Sequence, residues 1–263
     1  MIASPKKLDE TPRPSASYRI LMIAATSFFA DYGCHVRILE EARILQKLGH
    51  KVTICTYHNG RDLPDQDIRR TVSIPWRRNY EVGSSRHKIA FDLLLFLSAL
   101  RLMPKVRPDV IHAHGYEAAL IGYALSKLWG TPLVFDRQGS LTSEMVDHHF
   151  LDPHGPFYGF WRWLERFIDR SSPRILTSTE HAAAQLAADF DGKVDCVPDC
   201  VNTDIFCPQP RDEAWASLKR ALGIPVQRLV VIYLGLLAEY QGTDHLLRAA
   251  QIVCRQRDDV QFL

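Results

Sequence analysis

The chain has 263 residues, of which 46% are hydrophobic and 24% are charged. These proportions exclude a disordered polar tail, a collagen and a disulfide-rich miniprotein, and the length suits one to two domains with a full core. The 32 basic and 30 acidic side chains leave a net charge of only +2. We therefore do not expect the molecule to bind nucleic acid or polyanions in general.

Two segments bear on targeting. Residues 1–17 are rich in proline, serine and charge and lack an apolar core, so they predict a flexible leader rather than a secretory signal. The most apolar run, Ile89–Met103, has 15 residues. Because a helix needs roughly 20 apolar residues to span a bilayer, we expect no membrane crossing.

Strands and helices alternate along the first two thirds of the chain. A continuous apolar run at 18–25 predicts a buried strand, and a strand at 51–56 follows the next helix. The apolar face of that helix is predicted at Val36, Leu39, Ala42, Leu45 and Leu48. Further strands are predicted at 109–113, 133–135, 174–178 and 194–197, with helices at 116–129 and 180–189. This order predicts a parallel sheet that is covered on both faces.

The periodicity breaks at residues 198–210, where three prolines predict a hinge. Beyond it we expect a helix at 212–222, a strand at 229–234, a helix at 245–255 and a strand at 260–263. The predicted organisation is thus an N-terminal Rossmann-like domain at 18–197 and a second one at 211–263. Because one βαβ unit cannot bury both faces of its sheet, we expect the second domain to be incomplete.

Common motifs of nucleotide and hydrolase sites are absent. The sequence contains no GxGxxG after a leading strand and no GxxxxGK[ST], GxSxG or HExxH. Cys196, Cys200 and Cys207 lie close in sequence and leave a metal or redox site as an alternative, but no CxxC pair supports it. Reduced structural thiols are the favoured interpretation. Function is instead expected in the loops that follow the strands, at 26–33, 112–115, 136–140, 178–181 and 235–242.

An ordered set of short motifs resembles one known family. In chain order they are LGHKVTI, DVIHAHG, GTPLVFD, ILTSTEH, VPDCVNTDIFCP and YLGLLAEYQGTDHLLRAA. Over residues 18–263 the chain resembles the retaining glycosyltransferases of family 4, which have the GT-B architecture of two Rossmann-like domains. The resemblance implies transfer of a sugar, with retention of configuration, from an activated donor to a sugar, lipid or small-molecule acceptor. It also implies a nucleotide-diphosphate sugar as the usual donor, and no metal or other cofactor.

In the family the acceptor lies mainly on the N-terminal domain. The resemblance makes His114, Asp136 and Gln138 the catalytic candidates. We expect His112 and His114 on opposite faces or, past the strand end, in the cleft, with His114 nearer the cleft. Asp136 beside Arg137 leaves a structural ion pair as the alternative for both.

Other residues are expected to bind substrate. Arg137, Ser140 and Asn202 are the acceptor-side candidates. Gly33 opens the first helix, where backbone amides can meet a donor phosphate, although a plain strand-to-helix turn fits equally well. Gln138 stands about where the family commonly has histidine, and glutamine cannot exchange a proton near pH 7.

The loop expected to bind the donor departs from the family pattern. The candidates there are Gly235, Glu239, Gln241 and Gly242, and the family's arginine and lysine are replaced by Leu236 and Gln241. Because loss of two cations weakens charge-assisted bonds to a diphosphate, a less charged donor and a loss of donor binding both remain open.

Two surface features bear on partners. Residues 68–107 carry a net charge of +7 near Trp76 and Tyr80, which indicates either an anionic membrane surface or a solvated basic loop. The aromatic stretch 157–167 suits either an acceptor channel or packing on the sheet. We expect a cytoplasmic glycosyltransferase, peripheral on the inner face of the cell membrane if the basic stretch docks there. The alternatives are a non-catalytic GT-B relic that binds a sugar or partner, and a peripheral membrane module.

Overall fold

A computed structural model describes residues 16–30, 32–73, 88–190, 192–208, 210, 212–235, 237 and 241–263. Most of the predicted leader, together with Leu236 and Glu239, lies outside these residues. The chain divides into two compact units between Val201 and Asn202. Each unit is described by itself.

The first unit is built from alternating strands and helices. Its strands are β1 (Arg19–Ala24), β2 (Lys51–Thr56), β3 (Asp67–Arg70), β4 (Val110–His114), β5 (Leu133–Arg137), β6 (Arg174–Thr177) and β7 (Val194–Cys196). Its helices are α1 (Gly33–Lys47), α2 (Lys88–Val106), α3 (Tyr116–Trp129), α4 (Leu141–Asp147), α5 (Tyr158–Ser171) and α6 (Glu180–Ala187). None of the helices among the described residues is long and apolar enough to cross a bilayer.

The seven strands form one sheet in the order β3-β2-β1-β4-β5-β6-β7, and every pair is parallel. The predicted α/β fold with a parallel sheet is therefore confirmed. Strand order changes direction between β1 and β4, which is where open sheets of this type place their ligand crevice. The register sets Ala24 level with His114, and His114 level with Asp136, so the carboxyl ends of three central strands meet.

The core occupies both faces of the sheet, as the apolar strands require. Ile20, Met22 and Ala24 of β1 pack with α1 on one face. Leu21 and Ile23 face the other side, in the larger cluster that includes residues of α2, α3 and α5. This alternation explains why β1 reads as an uninterrupted apolar run.

The helix α1 differs in detail from its prediction. Its buried residues are His35, Arg37, Ile38, Leu39 and Ala42. The predicted face ran through Val36 and Leu45, which are only half-buried. Two polar side chains, His35 and Arg37, thus occupy buried positions on this helix.

Gly122 lets α3 lie close to the sheet. A Cβ at this position would lie 2.7 Å from Leu133 Cδ1 and 3.3 Å from Ile111 Cγ2, and both neighbours are fully buried. We expect Gly122→Ala to lower the free energy of unfolding by about 1–3 kcal/mol, because a packed core resists an added methyl group. Gly159→Ala is the matched control, since nothing lies within 4 Å of its Cβ on α5. Urea titrations of both variants measure the effect, and equal midpoints would contradict it.

The second unit contains α7 (Glu213–Ala221), β8 (Leu229–Val231), α8 (Thr243–Gln256) and β9 (Val260–Phe262). β8 and β9 pair in parallel, so the predicted βαβ arrangement is confirmed, although the first strand ends at Val231 rather than at 234. α8 has no buried residue, and Leu234, Leu237 and Leu247 are exposed. Apolar contacts within this unit are therefore few.

Because the first unit has a large buried core and the second has few buried residues, we expect the two units to differ in their resistance to protease. We expect limited trypsin digestion to cut after residue 210 before it cuts the sheet of the first unit, because local opening follows from a small buried core. Mass spectrometry of the fragments over time measures the order of cleavage. Cleavage of both regions at one rate would contradict the expectation.

Candidate functional site

A polar cavity of about 350 Å³ opens where β1, β4 and β5 end. Its walls come from the loops that follow these strands, from the first two turns of α1, from the first turns of α3 and α4, and from the first residue of α2. The lining includes Thr26, Ser27, Tyr32, Cys34, His35, Lys88, His114, Gly115, Tyr116, Glu117, Gln138, Gly139 and Glu144. This is the position that the strand order predicts for a ligand.

His35 shapes the wall contributed by the loop after β1. Its Nδ1 lies 2.8 Å from the Ala30 amide nitrogen and 3.0 Å from the Ala30 carbonyl oxygen. Nε2 lies 2.6 Å from Thr26 Oγ1 and can donate to it. His35 was not among the residues predicted from the sequence. The only indication in the sequence was a polar residue next to the apolar face of a predicted helix.

Beneath the cavity lies a buried ion pair that connects α1, β5 and the segment after β7 by hydrogen bonds. Arg37 of α1 donates to both carboxylate oxygens of Asp136, at 2.9 and 2.7 Å. Its Nη1 also donates to the Val197 carbonyl at 2.9 Å and to Asp199 at 2.7 Å. The side chains of Arg37 and Asp136 are only 5% and 0% exposed.

The alternative of an ion pair between Asp136 and Arg137 is not what the structure shows, because Asp136 pairs with Arg37 and Arg137 with Glu165. Neighbours on a strand point to opposite faces, so Asp136 meets Arg37 of α1 while Arg137 turns away from it. Burial alone would raise the pKa of Asp136, but hydrogen bonds from His114 and Arg37 outweigh it and hold that pKa well below its usual range. Asp136 does not line the cavity, so the structure gives it an anchoring position.

The prediction that His112 and His114 lie on opposite faces is also wrong. Residues two apart on a strand share a face, and the two ring centroids are 4.3 Å apart. His114 Nδ1 lies 3.1 Å from Asp136 Oδ2. Because an ionised carboxylate only accepts, His114 donates from Nδ1 in this contact. His114 lines the polar cavity, as does Gln138, whose amide donates to Asp136 at 2.9 Å.

Glu41 completes this buried cluster. Glu41, His112 and His114 each offer one ligand-type atom, and these atoms lie within 4.8 Å of one another, the one potential metal-binding group found among the described residues. However, Arg37 Nε already lies 3.1 Å from Glu41 Oε1 and opposes a second cation. That contact is an ion pair without hydrogen-bond geometry, and neither Glu41 oxygen has a hydrogen-bond partner among the described residues.

Glu41 predicts a pH dependence of stability. Burial raises its pKa to about 7, from 4.5 in the unfolded chain. The folded state therefore holds this proton more tightly, and the contribution is complete below pH 4.5 and lost as the pH rises through 7. Relative to Glu41→Gln, we expect the original chain to lose on the order of 2 kcal/mol of stability between pH 5 and 8.

The measurement is urea unfolding of both proteins at several pH values in that interval. Glu180→Gln, at an exposed position of α6, is the control and should follow the original chain. Parallel curves for the original chain and Glu41→Gln would contradict the expectation.

Arg137 and Ser140 stabilise the floor of the site and do not line the cavity. Arg137 Nε donates to Tyr116 Oη at 2.6 Å and Nη2 to Glu165 at 3.3 Å. Ser140 caps α4 by accepting from the Ser143 amide. Their predicted contacts with an acceptor stay predictions, and their observed contacts are within the protein.

The remaining predicted residues are dispersed. Gly33 is the first residue of α1, with the cavity residues Tyr32 and Cys34 on either side. Asn202, Gly235, Gln241 and Gly242 belong to the second unit, and Gly242 precedes α8 in the left-handed conformation, with φ of 71°. Their substrate roles stay predictions.

Residues 33–205 match the family described as Glycosyltransferase Family 4. The chain belongs to this family. Among curated proteins it is 27% identical over 243 residues to D-inositol 3-phosphate glycosyltransferase from Thermobispora bispora, covering 87% of this chain and 54% of the relative. The chain thus spans about half the length of the curated relatives it matches.

Solved structures share the fold at low sequence identity. Sucrose-phosphate synthase from Thermosynechococcus elongatus aligns with a TM-score of 0.70 and 14% identity, over 92% of this chain and 61% of that one. The catalytic domain of starch synthase IV from Arabidopsis thaliana, bound to ADP and acarbose, aligns with a TM-score of 0.69 and 15% identity, over 94% and 68%. The predicted GT-B type of α/β fold is confirmed.

Proposed function

We propose that this chain forms the acceptor-side domain and part of the donor side of an enzyme that transfers a sugar with retention of configuration. The donor is a nucleotide-diphosphate sugar and the acceptor is a sugar, lipid or small molecule. The observation that carries the proposal is the polar cavity at the carboxyl ends of β1, β4 and β5, in a chain of this family. Starch synthase IV, which shares the fold, is bound to a nucleotide diphosphate in its solved structure.

The cavity suits an acceptor with several hydroxyl groups. Gln138 offers both donor and acceptor atoms, and His114 adds its ring to the wall, with Nε2 buried and without a hydrogen-bond partner among the described residues. Lys88 and Glu117 form an ion pair of 2.6 Å on its wall. In this proposal Gln138 orients the attacking hydroxyl, while Arg37 and Asp136 hold His114 in the wall beside it.

Calorimetric titration of the 263-residue chain with UDP-, ADP-, GDP- and TDP-sugars tests the donor side. Binding of one nucleotide sugar supports transfer. The rival proposal is a non-catalytic module that binds a sugar or partner, and it is favoured by Leu236 and Gln241 at the positions where the family has cations. That rival predicts binding at the polar cavity and no nucleotide-sugar binding, even when a complete second domain is joined to the chain.

We further propose that transfer needs neither a metal nor another cofactor. The support is Arg37, whose guanidinium contacts the Glu41 carboxylate that a metal would need. Activity that survives dialysis against EDTA supports this proposal. Activity that is lost and then restored by one divalent metal opposes it.

The location that we propose is the cytoplasm, at the inner face of the cell membrane. Cys34, Cys55, Cys196, Cys200 and Cys254 are free thiols, as expected in a reducing compartment. Ile89, Leu93 and Leu97 form an exposed apolar stripe along α2, and Arg101 and Lys105 follow on the same helix.

The basic stretch, residues 68–107, contributes less exposed positive charge to this surface than its sequence indicates. Lys88 is half-buried and paired with Glu117, and Arg70 donates to the carbonyls of Phe28 and Asn59. Arg77, Arg78, Arg86 and the aromatic Trp76 and Tyr80 lie outside the described residues. Co-sedimentation with anionic vesicles tests docking. Leu93→Glu should reduce binding while Leu128→Glu on α3 should not, and equal binding to neutral vesicles would oppose the anionic surface.

A further inference from the structure

A second cavity, of about 450 Å³, lies beside the polar one and differs from it in chemistry. Four helices, α2 to α5, supply its walls. Most of its lining side chains are apolar, including Leu120, Ile121, Met145, Phe150, Trp161 and Leu164. Its volume falls within the range of small-molecule sites.

The two cavities share walls. Lys88, Tyr116, Glu117 and Leu141 line both of them. The charged groups of the second cavity lie at this boundary or near it. Its remaining charged residue, Asp92, is one helical turn from Lys88 and accepts a hydrogen bond from Tyr57 Oη. The shared residues make the two cavities neighbours, and a ligand that reaches both would pass between these side chains and meet hydrogen-bonding groups at one end and hydrocarbon at the other.

Water molecules in the second cavity find few hydrogen-bond partners. An apolar cavity offers few hydrogen bonds to water, so an apolar ligand group displaces that water at a gain in free energy. A ligand consisting only of a sugar would leave the second cavity unfilled. The paired cavities therefore suit an amphiphilic molecule better than a fully polar one.

We propose that the acceptor is amphiphilic, with its reacting hydroxyl group in the polar cavity and an alkyl or aromatic group in the apolar cavity. This inference rests on the proposed function, because it assigns the polar cavity to the acceptor. It narrows the acceptor from sugar, lipid or small molecule to a glycoside or lipid that carries an apolar group.

Isothermal titration of the 263-residue chain with methyl, octyl and phenyl β-D-glucopyranoside, below micelle concentrations, tests the inference. We expect the octyl or phenyl glucoside to bind at least tenfold more tightly than the methyl glucoside. Preference for octyl indicates a lipid-like acceptor, and preference for phenyl indicates an aromatic one. Equal affinities for all three would overturn the inference.

Two substitutions on α3 locate the effect. Leu120 lines the apolar cavity and is 39% exposed, whereas Leu128 is 65% exposed and does not line it. We expect Leu120→Asp to abolish the preference for the apolar glucosides and Leu128→Asp to retain it. Retention in both variants would mean that the probes bind elsewhere and would overturn the inference.

These outcomes are separable from those of the proposed function. Selective binding of apolar glucosides without any sugar transfer, in a protein with a complete second domain, would retain the apolar site and reject the activity. Transfer to a free sugar without such selectivity would retain the activity and reject the apolar site.

Discussion

Arg37→Ala is expected to lower the free energy of unfolding by about 3–5 kcal/mol, because it leaves the fully buried Asp136 carboxylate without its cation. The loss also removes the bonds to Val197 and Asp199, which attach the end of the first unit to α1. For a domain of this size each kcal/mol lowers the melting temperature by about 2–4 °C. The expected shift is therefore on the order of 10 °C.

Arg43→Ala on the same helix is the matched control. Arg43 pairs with Asp65, but their side chains are 40% and 47% exposed, so the change should cost less than about 1 kcal/mol. A double variant, Arg37→Met with Asp136→Asn, should recover part of the loss because it removes the unpaired charge. Equal melting temperatures for Arg37→Ala and Arg43→Ala would show that the buried pair does not anchor the unit.

Gly139→Trp is expected to lower sugar transfer by at least a hundredfold in a protein that joins this chain to a complete second domain. Gly139 lines the polar cavity, and no atom lies within 4 Å of the position of its Cβ. A large side chain can therefore enter a space of about 350 Å³ without a clash at the backbone. It would occupy the volume that the proposal assigns to the acceptor.

Gly159→Trp is the control, since its Cβ position on α5 is equally free and it does not line the polar cavity. Both variants should keep the melting temperature within about 2–4 °C of the original protein. Transfer reduced to the same extent in both, or unchanged in Gly139→Trp, would contradict the assignment of this cavity. A rise in KM for the acceptor alone identifies the acceptor side.

The sheet could be predicted because its physical cause is local. β1 is buried on both faces, so its sequence is a continuous apolar run, and helix ends at glycines such as Gly130 mark the intervening elements. β3 was missed because this edge strand, Asp67–Arg70, is short and mostly charged.

The site was only partly predictable because its contacts are distant in sequence. The loops after β1, β4 and β5 were expected to meet, and His114 and Gln138 do line one cavity. Arg37 and Asp136 are 99 positions apart, and a charged residue on an amphipathic helix is ordinarily solvated, so nothing local indicated their pairing. The apolar cavity was only partly predictable, because the stretch 157–167 suited a channel or packing equally well, and its residues Trp161 and Leu164 meet walls from three other helices.

The most direct test of the central claim is a transfer assay with mass-spectrometric detection of products. A protein that carries this chain with a complete second domain is incubated with UDP-, ADP-, GDP- and TDP-sugars and with methyl and octyl glucosides as acceptors. The account predicts a product one sugar heavier than the acceptor, with the donor's anomeric configuration by NMR, present for Gly159→Trp and absent for Gly139→Trp. A folded protein that binds these glucosides but forms no product with any donor, or forms it equally in both variants, would contradict the account.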